Sequence, residues 1–130
     1  MERASIVTDV SICVPNAPEY LRVIRQIAMV VGAKADLLLD ALDEGQLASD
    51  EAANILMKFA EPGAPLNFEW AAGPGVLHLH ARTRCSLSHL PDFPETLGYA
   101  WVIISSITST LEIFLENGEV HVDLSVEGAI

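Results

Sequence analysis

Polar and apolar residues alternate through SIVTDVSICV. Ile6, Val10, Ile12 and Val14 share one side, the two-residue period of a strand with one buried face. The pattern then changes to a helical one. In NAPEYL, Asn16 is placed to cap, Pro18 suits a first turn, and Glu19 stands where a capping-box carboxylate would. Leu21, Ile24, Ala28 and Val31 repeat at helical spacing, and Gly32 is a natural stop. KADLLLDALDEGQLASDEAANILMKFAEPG also reads as helix. Gly45 weakens its middle and Ser49 could cap a fresh start, so it predicts two helical pieces or one bent helix, ended by Pro62-Gly63. PLNFEW returns to alternation with Leu66, Phe68 and Trp70 on one face, and after the turn GPG the run VLHLHARTR alternates again, which predicts a hairpin. CSLSHLPDFPET reads as a loop, and LGYAWVIISSITS as a well-buried helix. LEIFLENGEVHVDLSV is a second hairpin, built around Asn117-Gly118. This order predicts an α+β domain spanning 1–130: a mixed, mainly antiparallel sheet with its helices packed on one face.

Composition narrows the partners. The chain has 130 residues, which suits one domain, and 51% of them are hydrophobic, too many for a disordered tail. Its formal charge of −11 repels phosphate backbones and anionic lipid, so nucleic acid and membrane surfaces are poor partners and a protein with a basic face is a better one. No secretory leader is visible in MERASIVTDV, and the longest apolar runs, IAMVV and AWVII, are too short to cross a bilayer. With Cys13 and Cys85 as the only cysteines, the expectation is a cytoplasmic chain with reduced thiols.

Three segments carry a likeness. VPNAPEYLRVIRQIAMVVG matches an extended strand running into a Pro-Glu-Tyr helix start. DEAANILMKFA looks like a magnesium-binding helix. TLGYAWVIISSITSTLEIF is similar to a glycine-rich phosphate loop opening a last helix, with Thr96, Leu97, Gly98 and Tyr99 at the loop positions. In layout the chain resembles the histidine-kinase-like ATPase superfamily, and within it the bacterial anti-sigma-factor serine kinases. That resemblance implies the histidine-kinase-like ATPase fold, ATP and magnesium as cofactors, Glu51 as the general base, and a sigma factor or anti-sigma antagonist as partner, with a homodimer compatible.

The departures from that pattern fall together. The family places an asparagine four residues after the glutamate, but here that position is Ile55, and Asn54 comes one residue early. Successive helical residues turn by about 100°, so Asn54 points away from the ligand position. The adenine-reading Asp-x-Gly-x-Gly is absent from HARTRCSLSHLP, and Thr96 replaces the first loop glycine, where a side chain hinders approach of backbone amides to phosphate. Glu51, Asn54, Leu97 and Gly98 are then remnants of a cofactor site. The expected function is a regulatory protein-binding domain without ATP, magnesium or catalysis. Two alternatives remain: an active serine kinase with Glu51 as base, and a structural subunit of a larger assembly.

Other residue groups allow two readings each. Glu51 also suits a solvated first-turn carboxylate favoured by the helix dipole. Asp40, Asp43, Glu44 and Asp50 form, with Glu51, either a solvated acidic face or a docking surface for a basic partner. His78 and His80 share a strand face with Arg82 and Arg84. A zinc site completed by His89 or Cys85 is conceivable, but two arginines are poor company for a cation, and the outward face of an edge or half-exposed strand is the plainer reading. Trp70 and Trp101 read as core residues.

Overall fold

The computed structural model describes residues 7–128. It contains β1 (Val10–Val14), a 3-10 turn at Pro18–Tyr20 leading into α1 (Leu21–Lys34), α2 (Leu39–Phe59), β2 (Leu66–Gly73), β3 (Val76–Arg84), α3 (Phe93–Leu97), α4 (Tyr99–Ile107), β4 (Thr110–Glu116) and β5 (Glu119–Glu127). The strands form one sheet in the order β1-β2-β3-β5-β4. Its α+β character agrees with the sequence expectation. The mixed sheet does not: every strand pairing among the described residues is antiparallel. The physical reason is that β2–β3 and β4–β5 are both hairpins, and the second docks with β5, not β4, against β3.

Period-2 alternation decides the two faces. Leu66, Phe68 and Trp70 are fully buried and stand in register with Val14, Ile12 and Val10 of β1. Leu77, Leu79 and Ala81 of β3 and Val120, Val122, Leu124 and Val126 of β5 complete the row. They form one core with Ile24, Ala28 and Val31 of α1, Ala48, Ala52 and Leu56 of α2, and Ile104 of α4. The expectation that Leu66, Phe68 and Trp70 face the helices therefore holds. Ile6 lies outside the described residues.

Several local expectations are corrected. Helix α2 is a single 21-residue helix. Gly45 does not break it but lets it lie close on the sheet: a Cβ there would stand 2.9 Å from Leu77 Cδ2. Ser49 caps nothing; its hydroxyl donates to the Gly45 carbonyl at 2.8 Å and accepts from the Trp70 indole at 3.3 Å, which satisfies two buried polar groups. Asn16 makes no cap either, because its amide donates to the Met57 carbonyl at 3.5 Å. Gly32 sits inside α1, and the reversal falls to Asp36 at φ 58°, with the Leu37 amide donating back to the Gly32 carbonyl. β3 is central and not an edge, and its alternating burial makes it the half-exposed strand that was the other setting expected for its polar face. The proline-bearing loop contains the short α3, whose Asp92 cap accepts from the Glu95 amide at 3.0 Å. Helix α4 is not well buried: only Ile104 is, while Tyr99 is 77% and Val102 56% exposed. The Asn117-Gly118 turn forms as expected, with both residues at positive φ.

Candidate functional site

The middle of α2 carries Glu51, Asn54 and Ile55. Ile55, at the position where the resemblance would place a magnesium ligand, is 2% exposed and belongs to the core, whereas Asn54 is exposed. The one-residue offset therefore turns the amide to the surface and an aliphatic side chain inward. Glu51 is half-buried. Burial raises its carboxyl above the ordinary carboxylate range, and the neighbouring Asp50 adds to the shift.

The α3–α4 corner lies beside the end of this helix. Gly98, at φ 58°, closes α3 and opens α4, and a Cβ there would meet nothing within 4 Å, so the backbone turn is what calls for glycine. Lys58 reaches across from α2 to donate to the Thr96 carbonyl at 3.3 Å. Phe59 meets Phe93 edge-on at 6.4 Å, and Phe93 stacks on Trp101 at 5.7 Å, so three rings tie α2 to α4. Leu97 packs against the core. Lys58 and Phe59, at the C-terminal end of α2, thus meet the corner that holds Leu97 and Gly98, and aromatic packing joins the two there.

The acidic stretch divides. Asp40 and Asp43 are exposed and Glu44 is half-buried. Asp50 turns toward α1, where Arg25 Nη1 lies 3.4 Å from Oδ2. Its Oδ1 is buried with no hydrogen-bond partner among the described residues, and burial raises its carboxyl despite the opposing arginine.

Polar groups also gather on the helix-free face of the sheet. His80 Nε2 and His121 Nδ1 lie 2.9 Å apart, and Phe114 stacks on the His121 ring at 4.6 Å. Burial lowers the His80 pKa. His121 and Arg82 act in the same direction, and Asp123 and Glu69 oppose them. Arg82 spans Glu69 at 3.5 Å and Glu119 at 3.6 Å, and His121 Nε2 stands 3.9 Å from Glu119. His78 shares this face, yet the partner of His80 comes from β5. Cys85 is buried beside the Ala60 bridge and His89 is exposed next to Ser88, so neither joins the pair. No group of three metal-ligating side chains occurs among the described residues. Sequence reading missed His121. The alternation of VHVDLSV puts it on the polar face, but only the β3–β5 register brings it to His80.

A shallow groove at the other end of the sheet is lined by Cys13, Val14, Asn16, Gly63 and Pro65. Cys13 is exposed, and both cysteines are free thiols. Among the described residues no helix is long and apolar enough to cross a membrane. No protein-family model matches the chain, and no curated protein does.

Proposed function

We propose that this chain is a regulatory, protein-binding domain of the anti-sigma type, one that keeps the frame of a histidine-kinase-like ATPase and does not bind magnesium-ATP. The observation that carries this reading is Ile55. The family's layout needs an amide at that position, and here a buried isoleucine packs into the core. The order of strands and helices supports the frame. The Phe59, Phe93 and Trp101 contacts support the loss, because they join the two segments between which a nucleotide would lie. The partner is a protein with a basic face, such as a sigma factor or its antagonist, met in a bacterial cytoplasm. Asp40, Asp43 and Glu44 are the outward carboxylates of α2 available to steer it.

One observation favours a second reading, an active serine kinase: Glu51 is half-buried with a raised proton affinity, a property useful to a general base. A melting curve with millimolar magnesium-ATP separates the two. A ligand of the native state raises the melting temperature by mass action. The expected result is no shift, and a concentration-dependent rise selects the kinase. Direct binding to purified sigma factors and their antagonists then tests the regulatory role, and failure with all of them favours a structural subunit.

A further inference from the structure

The turn Asn117-Gly118 joins β4 to β5 and carries a chemistry that its structural role does not use. An asparagine followed by glycine is open to attack by the next main-chain nitrogen on its own side-chain amide, because glycine has no Cβ to obstruct the approach. The fold leaves both reacting groups available. Asn117 and Gly118 are exposed, and among the described residues neither the Asn117 side-chain amide nor the Gly118 N–H has a hydrogen-bond partner. In a two-residue turn closed by the Glu116–Glu119 pair, that N–H stands outside the ladder. The Gly118 carbonyl is the engaged group, accepting from the Cys85 amide at 3.0 Å.

The other asparagines, Asn16, Asn54 and Asn67, lack this arrangement. After Asn16, the Ala17 amide donates to the Pro15 carbonyl at 2.9 Å. After Asn54, Ile55 lies inside α2 and is branched at Cβ. After Asn67, Phe68 stands in the ladder between Ile12 and Ala81. In each case main-chain structure holds the attacking nitrogen, and a side chain crowds it. At Asn117 neither obstacle exists.

We propose that Asn117 is a site of spontaneous deamidation, a modification that records the age of the chain. The Gly118 nitrogen gives up its proton to solvent and bonds to Asn117 Cγ. The Cγ–Nδ2 bond breaks, and the departing nitrogen takes a proton from solvent and leaves as ammonia. The product is a five-membered succinimide. Water then adds to one of its two carbonyls and the C–N bond there breaks. Opening at Cγ gives aspartate, and opening at the main-chain carbonyl gives isoaspartate. Only the turn must open for the ring to close, and no core is exposed by it, since Glu116, Asn117 and Gly118 already face solvent. Either product adds a negative charge between Glu116 and Glu119 on a chain of formal charge −11. Isoaspartate also adds a main-chain atom to a turn whose two residues, both at positive φ, close the Glu116–Glu119 pair. Glu119 lies 3.6 Å from Arg82 and 3.9 Å from His121, so the change falls beside the polar face of the sheet. The proposal stands whether or not the anti-sigma reading does.

The test ages the purified chain and an Asn117→Gly variant, whose new glycine keeps the positive φ, in mildly alkaline water enriched in heavy oxygen. Peptide mass spectrometry and an isoaspartate-specific carboxyl methyltransferase read the products. Asn117 should convert about tenfold or more faster than Asn16, Asn54 or Asn67, with heavy oxygen in the product and isoaspartate as its main form. Methyl acceptance should fall by about tenfold in the variant. The isoaspartate form, separated by anion exchange, should melt about 3 °C or more lower and exchange its Cys85 amide faster. Equal conversion at all the asparagines, undiminished methyl acceptance in a folded variant, or conversion only when urea unfolds the chain overturns the proposal. If the variant does not fold, the comparison among asparagines in the unmodified chain decides. An isoaspartate form with unchanged melting and unchanged Cys85 exchange overturns the stated effect on the hairpin.

Discussion

The two faces of the sheet are held by different physics. On the helix side, Leu66, Phe68, Trp70, Leu79, Val122 and Leu124 are buried among aliphatic side chains, and what fixes each is the volume it fills. The same strands present Glu69, His80, Arg82, Glu119 and His121 on the other side. There what matters is which charge or ring stands opposite which. Packing is non-directional and tolerates hydrophobic exchange, whereas the polar lattice depends on register. A substitution on the first face should be read mainly in stability, and one on the second mainly in how stability depends on pH.

The largest expected effect comes from the covered side. Ile55→Asn removes a core side chain that is 2% exposed and leaves an amide without partners. Lost packing and unmet hydrogen bonds together should cost about 3–5 kcal/mol in urea unfolding. On the proposed reading the variant should still show no melting shift with magnesium-ATP, because one added amide supplies neither an adenine-reading aspartate nor a loop glycine. A variant that loses under 1 kcal/mol, or that gains nucleotide binding, would mean the inward side of α2 is an open pocket and not core.

A smaller effect tests a polar contact buried on that same side. Ser49→Ala leaves the Trp70 indole N–H without its acceptor and should cost about 1–2 kcal/mol. In a Trp70→Phe background the same change should cost less, because no indole remains to be satisfied. Additive costs in that double-mutant cycle would show that the hydroxyl matters only to the Gly45 carbonyl.

The contrast between faces also explains what could be read from the sequence. The covered face was legible because burial repeats every second residue, as in Leu66, Phe68 and Trp70, and the Asn117-Gly118 turn was legible because its chemistry is local. Gly32, Gly45 and Ser49 misled because each has a local meaning as stop, breaker or cap. At Gly45 and Ser49 that meaning yields to a partner far along the chain, Leu77 and Trp70 respectively. Helix α4 looked buried because it is apolar, yet composition alone does not say what lies on its far side. In the candidate site, the offset of Asn54 and Ile55 was visible as helical rotation. The His80–His121 pair was not, since it depends on β5 docking beside β3.

The smallest effect sets the two faces against each other as pH falls. His80 has its pKa lowered by burial in the folded chain, so below about 6.5 the unfolded chain takes up that proton first. Its contribution to stability is present above that pH and is lost as pH falls through it. Asp50 and Glu51 have raised pKa values, again chiefly from burial. The folded chain protonates them before the unfolded chain does, and their contribution improves as pH falls toward the ordinary carboxylate range. The open face thus loses stability on acidification where α2 regains some. Because all three groups are only partly buried, each arm should amount to about half a kcal/mol or less after solvent screening. His80→Gln should therefore flatten the stability curve between about pH 7 and 5.5, and Asp50→Asn should leave that window alone and change the curve only at lower pH. If His80→Gln leaves the upper window unchanged, the histidine titrates alike in both states, and the open face has no pH-dependent role of its own.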